Sequence, residues 1–136
     1  MIKLHINKED FETYITLKEF NVKYNTNIQD IDIKTLNLSG RYIRNEGLKD
    51  LNKIKFKALN ELNLSYNKIS DINILEKVKF KELKVLDLGH NNISDIKVLE
   101  NVKFEKLEKL NLGGNEISDK SLISLISKLK IKNIKF

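Results

Sequence analysis

The side chains able to do chemistry are few, and their spacing does not favour it. The two histidines, His5 and His90, fall in different parts of the chain, so a two-histidine metal site is not expected. His90 lies close to Asp87, but no serine nucleophile with a matching oxyanion site accompanies them. Cysteine is absent, which excludes disulfides, zinc–thiolate sites and cysteine nucleophiles. Gly113-Gly114 belongs to a recurring turn and not to a phosphate-binding loop. No catalytic residue, metal or cofactor is expected, and the chain reads as non-enzymatic. What does recur is a carboxamide: Asn67, Asn91 and Asn115 occupy one position of a repeated pattern. A carboxamide donates and accepts at once, so a buried asparagine can satisfy backbone groups that a turn leaves unpaired.

Three strong copies position these asparagines: Leu59-Asn-Glu-Leu62-Asn-Leu64-Ser-Tyr-Asn67-Lys-Ile69, Leu83-Lys-Val-Leu86-Asp-Leu88-Gly-His-Asn91-Asn-Ile93 and Leu107-Glu-Lys-Leu110-Asn-Leu112-Gly-Gly-Asn115-Glu-Ile117. They are 24 residues apart, a period that marks a solenoid of stacked units. A weaker copy at Ile33, Leu36, Leu38 and Ile43 comes 26 residues earlier and has Arg41 at the asparagine position. Leucine pairs such as Leu62/Leu64 alternate as in a short strand with one buried face. The pairs Ser70-Asp71, Ser94-Asp95 and Ser118-Asp119 should cap turns or short helices. The return limbs space Ile72, Leu75, Val78 and Phe80, then Ile96, Leu99, Val102 and Phe104, as a helical or 3₁₀ segment ending extended. Phe56, Phe80 and Phe104 are expected to stack as an aromatic spine.

The pattern LxxLxLxxNxI resembles the leucine-rich repeat family from about Ile31 to Phe136, with short return limbs like those of bacterial internalins and the phosphatase-regulator class. The resemblance implies an α/β fold: a right-handed horseshoe solenoid with about five parallel strands on its concave face and helical or 3₁₀ limbs on its convex face. Residues 1–30 are expected to form a helical cap. Residues 31–136 would carry the repeats, with strands near 36–38, 62–64, 86–88, 110–112 and 134–136. In the cap, Phe11, Tyr14, Ile15 and Phe20 form the expected packing face of a helix that starts after Asn7. A stronger helix signal covers Ser121 to Lys130. A fifth strand follows, with Ile134 and Phe136 at leucine positions, and its open edge could pair with another chain.

On such a fold the non-leucine strand positions line up as outward columns: Thr35, Glu61, Val85, Lys109, Asn133, then Asn37, Asn63, Asp87, Asn111, Lys135, then Ser39, Ser65, Gly89, Gly113. Two more are Gly40, Tyr66, His90, Gly114 and Tyr42, Lys68, Asn92, Glu116. The expected partner-binding residues are Tyr42, Glu61, Asn63, Tyr66, Lys68, Asp87, His90, Asn92, Asn111 and Glu116, with Tyr66 and His90 as the anchor, because tyrosine buries much area at little entropic cost. Asn67, Asn91 and Asn115 are read as structural. Strands about 4.8 Å apart give the sheet a footprint of only about 300 Å², below the roughly 800 Å² per partner of a standard interface, so loop edges must contribute.

The formal net charge is +6, made by 23 lysines and only two arginines, Arg41 and Arg44. Lysine, isoleucine and asparagine make 58 of 136 residues; all have AT-rich codons, so the basic balance suits a genome bias. Eleven lysines (53, 55, 57, 77, 79, 81, 103, 106, 128, 130 and 132) would form a ridge on the return limbs. Nucleic-acid readers lean on arginine, so nucleic acid is not the favoured partner. No stretch has the roughly 18 apolar residues of a membrane span, and the N-terminus lacks a signal-peptide core. The expectation is a cytoplasmic protein–protein interaction module with an unidentified protein partner. The alternatives are an electrostatic binder of nucleic acid or an anionic surface through the lysine ridge, and a self-associating scaffold unit joined through the C-terminal strand edge.

Overall fold

The computed structural model describes residues 7–78, 80–102, 104–129, 131 and 133–136. Its centre is one sheet of five parallel strands in chain order: β1 (Thr35–Asn37), β2 (Glu61–Asn63), β3 (Val85–Asp87), β4 (Lys109–Asn111) and β5 (Asn133–Lys135). Each strand has a leucine or isoleucine at its middle, and these align across the sheet as Leu36, Leu62, Leu86, Leu110 and Ile134. The flanking residues align too, as Thr35, Glu61, Val85, Lys109 and Asn133 and as Asn37, Asn63, Asp87, Asn111 and Lys135. The strands start one residue earlier than the pattern implies, but pairing runs past their ends: Leu38, Leu64, Leu88 and Leu112 each donate to the carbonyl of the next repeat.

Beneath the sheet the repeated leucines and isoleucines form one continuous core. Leu38, Leu64, Ile69, Leu83, Leu88, Ile93 and Leu99 have no exposed surface. Where the chain leaves each strand and turns over this core, the asparagines bridge consecutive units. Asn67 Oδ1 accepts from the N–H groups of Arg41 (2.9 Å) and Ile43 (3.1 Å). Its Nδ2 donates to the carbonyls of Leu38, Leu64 and Ser65 at 2.8–3.0 Å. Asn91 does the same for Asn67 and Ile69 and for Leu64, Leu88 and Gly89. An Nδ2 carries two hydrogens, so three carbonyls at each site share them. Asn115 accepts from Ile93 and donates to Leu88 and Leu112. Arg41 has no earlier turn to serve, and its guanidinium instead donates to the Asn25 carbonyl at 2.7 Å.

The return limbs vary around this constant frame. The first is a helix, α2 (Arg44–Asn52), in sequence order after the N-terminal helix α1 (Lys8–Tyr24); the next two are short 3₁₀ helices, Asn73–Lys77 and Lys97–Glu100; the last is α3 (Asp119–Lys128). Asn7 caps α1 by accepting from Asp10 N–H, and Ser118 caps α3 by accepting from Ser121 N–H. In the two middle repeats the aspartate, not the serine, does this work, with Asp71 and Asp95 accepting from the N–H two residues on. Ser70 and Asp71 donate their own N–H groups to Asn45 Oδ1 of the preceding repeat.

Three packing expectations are corrected. Helix α1 packs through Leu17, Phe20 and Tyr24, while Phe11, Tyr14 and Ile15 lie exposed. The buried face includes Tyr24, whose ring packs close to Gly47 of α2: a Cβ there would lie 2.6 Å from Ile43 Cγ2 and 3.0 Å from the Tyr24 ring. Phe80 is buried and Phe56 and Phe104 are half-buried against the core, but the ring pairs among the described residues lie elsewhere, at Phe20–Tyr24 and Tyr66–His90. Phe56 and Phe80 instead line one cavity of about 430 Å³ together with Ile54, Lys77 and Val78. Phe136, at a leucine position of the pattern, is exposed, while Ile134 is half-buried.

Because Asn91 is buried and bonds five backbone groups, Asn91→Ala should destabilise the fold by at least about 2–3 kcal/mol. Asn115→Ala, at a half-buried site, should cost less. Urea-unfolding midpoints of the two variants check this ordering.

Candidate functional site

The turns that follow the strands form a row. Gly40, Tyr66, His90 and Gly114 hold the same place in successive repeats, all with left-handed backbone at φ of 65°, 57°, 52° and 68°. The N–H groups of Gly40, Tyr66 and His90 each donate across to the next repeat, to Ser65 (3.0 Å), Gly89 (3.1 Å) and Gly113 (2.7 Å). The row is therefore hydrogen-bonded like a strand position although its backbone is turned. A side-chain-bearing residue in this conformation costs energy, and that cost falls on Tyr66 and His90 alone of the four.

Their rings explain what the position gains. Tyr66 and His90 stack with centroids 4.4 Å apart and planes 7° apart, close to the offset-parallel arrangement that aromatic pairs favour. A Cβ on Gly114 would lie 2.5 Å from His90 Nδ1, so the missing side chain at Gly114 is the space the imidazole occupies. The pair is exposed, Tyr66 by 58%, and it is held from both sides. In the neighbouring row Tyr42 and Lys68 also have left-handed backbones, and the Lys68 ammonium sits 5.4 Å from the Tyr42 ring centroid.

The sheet surface beside the row is quieter. Asn63, Asp87 and Asn111 are half-buried, and their side-chain oxygens accept from the N–H groups of Ser65, Gly89 and Gly113 at the strand exits. Asn111 Nδ2 also donates to Asp87 at 3.0 Å. These three are largely engaged within the fold. Glu61, Asn92 and Glu116 are exposed. Over β3 to β5 the surface forms a shallow depression of about 400 Å³ lined by Val85, Asp87, Lys109, Asn111, Asn133 and Lys135.

A second concavity lies where α1 and α2 meet the start of the turn row. This cleft, about 580 Å³, is lined by Lys23, Tyr24, Gly40, Arg41, Tyr42 and Arg44 among others. Its Lys23, Tyr24 and Glu46 belong to a polar clasp with Asp50: Tyr24 donates to Asp50 Oδ2 at 2.6 Å, and Lys23 reaches Glu46 at 2.7 Å and Asp50 at 3.0 Å. Burial, then the hydrogen bond to Asp50, pushes the Tyr24 phenol up to about 12. Burial acts to raise Asp50 as well, but the Tyr24 and Lys23 hydrogen bonds outweigh it and hold the carboxyl below its ordinary value. The hydrogen bonds to Glu46 and Asp50 raise the Lys23 ammonium. Gly40 and Tyr42 fall on the outward columns expected from the repeat; Arg41 and Arg44 do not, and their signal in the sequence is that the only two arginines fall within four residues of each other.

Of the eleven lysines of the expected ridge, seven lie among the described residues, and four of these are paired with acids. Lys53 pairs with Asp50, Lys55 with Glu9, Lys106 with Glu82 and Lys128 with Glu100. Lys79, Lys103, Lys130 and Lys132 lie outside the described residues, as does His5.

Family models bear on this architecture directly. A model of leucine-rich repeats in two copies matches residues 81–133, and a single leucine-rich repeat model matches residues 58–72. The chain belongs to the leucine-rich repeat family. Members of the family generally mediate protein–protein interaction and are typically non-enzymatic. Among solved structures the chain is similar to an internalin C2 from Listeria monocytogenes, with a TM-score of 0.54 and 21% identity over 86% of this chain. That likeness concerns the fold; the chain spans 54% of the internalin's length. No curated protein matches the sequence. No helix among the described residues is long and apolar enough to cross a membrane.

Two outcomes follow from this geometry. In Gly114→Ala the new methyl should displace the His90 ring from Tyr66, read as loss of the mutual ring-current shifts in the NMR spectrum, at a cost of about 1 kcal/mol from the left-handed backbone. Tyr24 is raised in the folded state above its ordinary 10.0. Its contribution is therefore fully present below pH 10.0 and lost as the pH rises through about 12. The ultraviolet phenolate signal that Tyr24→Phe removes should have its midpoint near 12, and the variant should lose less stability over that interval.

Proposed function

We propose that this chain is a protein-interaction module whose partner seats on the turn row at Tyr66 and His90 and extends over the adjoining open face of the sheet. The observation that carries this reading is the exposed, stacked Tyr66–His90 pair. Two aromatic side chains held by backbone pairing on one side and by Gly114 on the other lose little further freedom on binding, which is the property of an interface anchor. Tyr42, Lys68, Asn92, Glu61 and Glu116 surround the anchor as polar contacts. Asn63, Asp87 and Asn111 contribute mainly by keeping the strand exits rigid. A cytoplasmic setting belongs to the same proposal, motivated by the absence of cysteine.

The ion pairs at Lys53, Lys55, Lys106 and Lys128 favour this reading over an electrostatic one, because each engaged ammonium offers less to a phosphate. The test is capture from nuclease-treated lysate of the source cell, followed by affinity measurement with the isolated partner. Tyr66→Ala/His90→Ala should weaken binding at least about tenfold. Its melting temperature should remain close to wild type, as for other exposed positions. Retained binding in that variant, together with loss in Lys77→Glu/Lys81→Glu, would establish the basic limbs as the working surface instead.

A further inference from the structure

The two arginines of the chain line one cleft, and the cleft lies at the end of the turn row that begins at Gly40. Elsewhere positive charge is supplied by lysine. Among the described residues six lysines (8, 23, 53, 55, 106 and 128) meet a carboxylate and twelve do not; neither guanidinium forms an ion pair, and what sets the two arginines apart is that they line one cleft. The acid that lines the cleft, Glu46, is engaged by Lys23 at 2.7 Å. Arg41 donates one N–H to the Asn25 carbonyl at 2.7 Å, which steadies its planar head and leaves other donors free.

Arg44 is placed by its backbone. Its φ of 58° is left-handed, the third such residue in five after Gly40 and Tyr42. Its N–H donates to the Asn67 carbonyl at 2.9 Å, which pins that conformation. The equivalent position of the next repeat is Ser70, which is not left-handed, so the shape is particular to this end of the molecule. The Tyr42 ring stands beside the cleft with Lys68 over it. A guanidinium presents a rigid fork of donors that matches two oxygens of one anion, which a lysine cannot do.

We infer that the Arg41–Arg44 cleft binds an oxyanion, a carboxylate or phosphate carried on a side chain of the protein that seats on the turn row. This rests on the proposed interaction role for the identity of the carrier, but not for the presence of the anion site. The cleft would read one acidic group at the end of the row while Tyr66 and His90 supply the apolar anchor, fixing the partner's direction as well as its position.

The probes are sodium phosphate and sodium acetate, titrated against the full chain at constant ionic strength while backbone amide shifts are followed by NMR. Saturable shifts are expected over residues 40–46. Affinity should fall about tenfold or more in Arg44→Gln, fall by less in Arg44→Lys, and stay unchanged in Lys57→Gln. Should Arg44→Gln fail to fold, Arg44→Lys against wild type carries the comparison, since it keeps the charge and loses the fork. Phosphate favoured over acetate points to a phosphorylated side chain, and comparable affinities point to aspartate or glutamate; either result supports the site. Shifts that do not saturate, or that persist in the Arg44 variants, overturn it. The titration contains no protein partner, so its failure would leave the Tyr66–His90 reading to be judged by its own binding experiment.

Discussion

A chain that leaves a three-residue strand and folds back across its own core strips several backbone N–H and C=O groups of water at every pass. Strand pairing satisfies those along the ladder, but the turn has no regular partner, and an unpaired buried peptide group costs as much as a lost hydrogen bond. Asn67, Asn91 and Asn115 meet this cost by reaching across two repeats at once. An Oδ1 takes the N–H groups of the unit before, and an Nδ2 takes carbonyls from both units. Among the described residues no buried side-chain polar atom lacks a partner. The turn of one repeat is thereby completed by the asparagine of the next, which makes the stack cooperative in one direction along the chain.

This directionality explains the first repeat. Arg41 needs no reach backwards, because no turn precedes it, and a longer side chain can leave the core edge and bond Asn25 after α1. Replacing a buried carboxamide by an exposed guanidinium thus converts a repeat position into a joint with the helical segment. Gly47 and Tyr24 complete that joint on the other side, where a ring takes the room of an absent Cβ and then shares Asp50 with Lys23. The same spatial logic recurs at Gly114 and His90. In both cases a glycine in one unit makes a place for an aromatic side chain from another.

Much of this was legible in the residues. A strict 24-residue period and leucines at alternate positions favour parallel strands in register, because a one-residue slip would bury the polar columns and expose the leucines. What the pattern could not show is whatever depends on a neighbour outside the repeat. Phe11, Tyr14 and Ile15 look like a packing stripe on α1, but the helix packs through Leu17, Phe20 and Tyr24, the last close to Gly47, a contact between residues 23 apart with no periodic signature. Asn63, Asp87 and Asn111 look like free surface groups, yet each accepts from the N–H two residues on, a local bond set by the turn that follows the strand. The stacking of Tyr66 on His90 was foreshadowed only by their shared column. The cleft at Arg41 and Arg44 required α1 and α2 to be in place before its walls existed.

The distribution of charge follows from the same stacking. Residues one repeat apart lie side by side, so Lys106 meets Glu82 across 24 positions, and Lys128 meets Glu100 across a slightly longer step into α3. The acids respond: hydrogen bonds from Lys106 and from Lys128 lower Glu82 and Glu100 respectively. Exposed pairs of this kind contribute little to stability, but they do neutralise the flanks of the solenoid between repeats. Among the described residues these pairs offset part of the positive charge along the return limbs. The two guanidinium groups, neither of them in an ion pair among the described residues, line one cleft at the end of the turn row, where the fold has stopped repeating and a position is free to take on a role of its own.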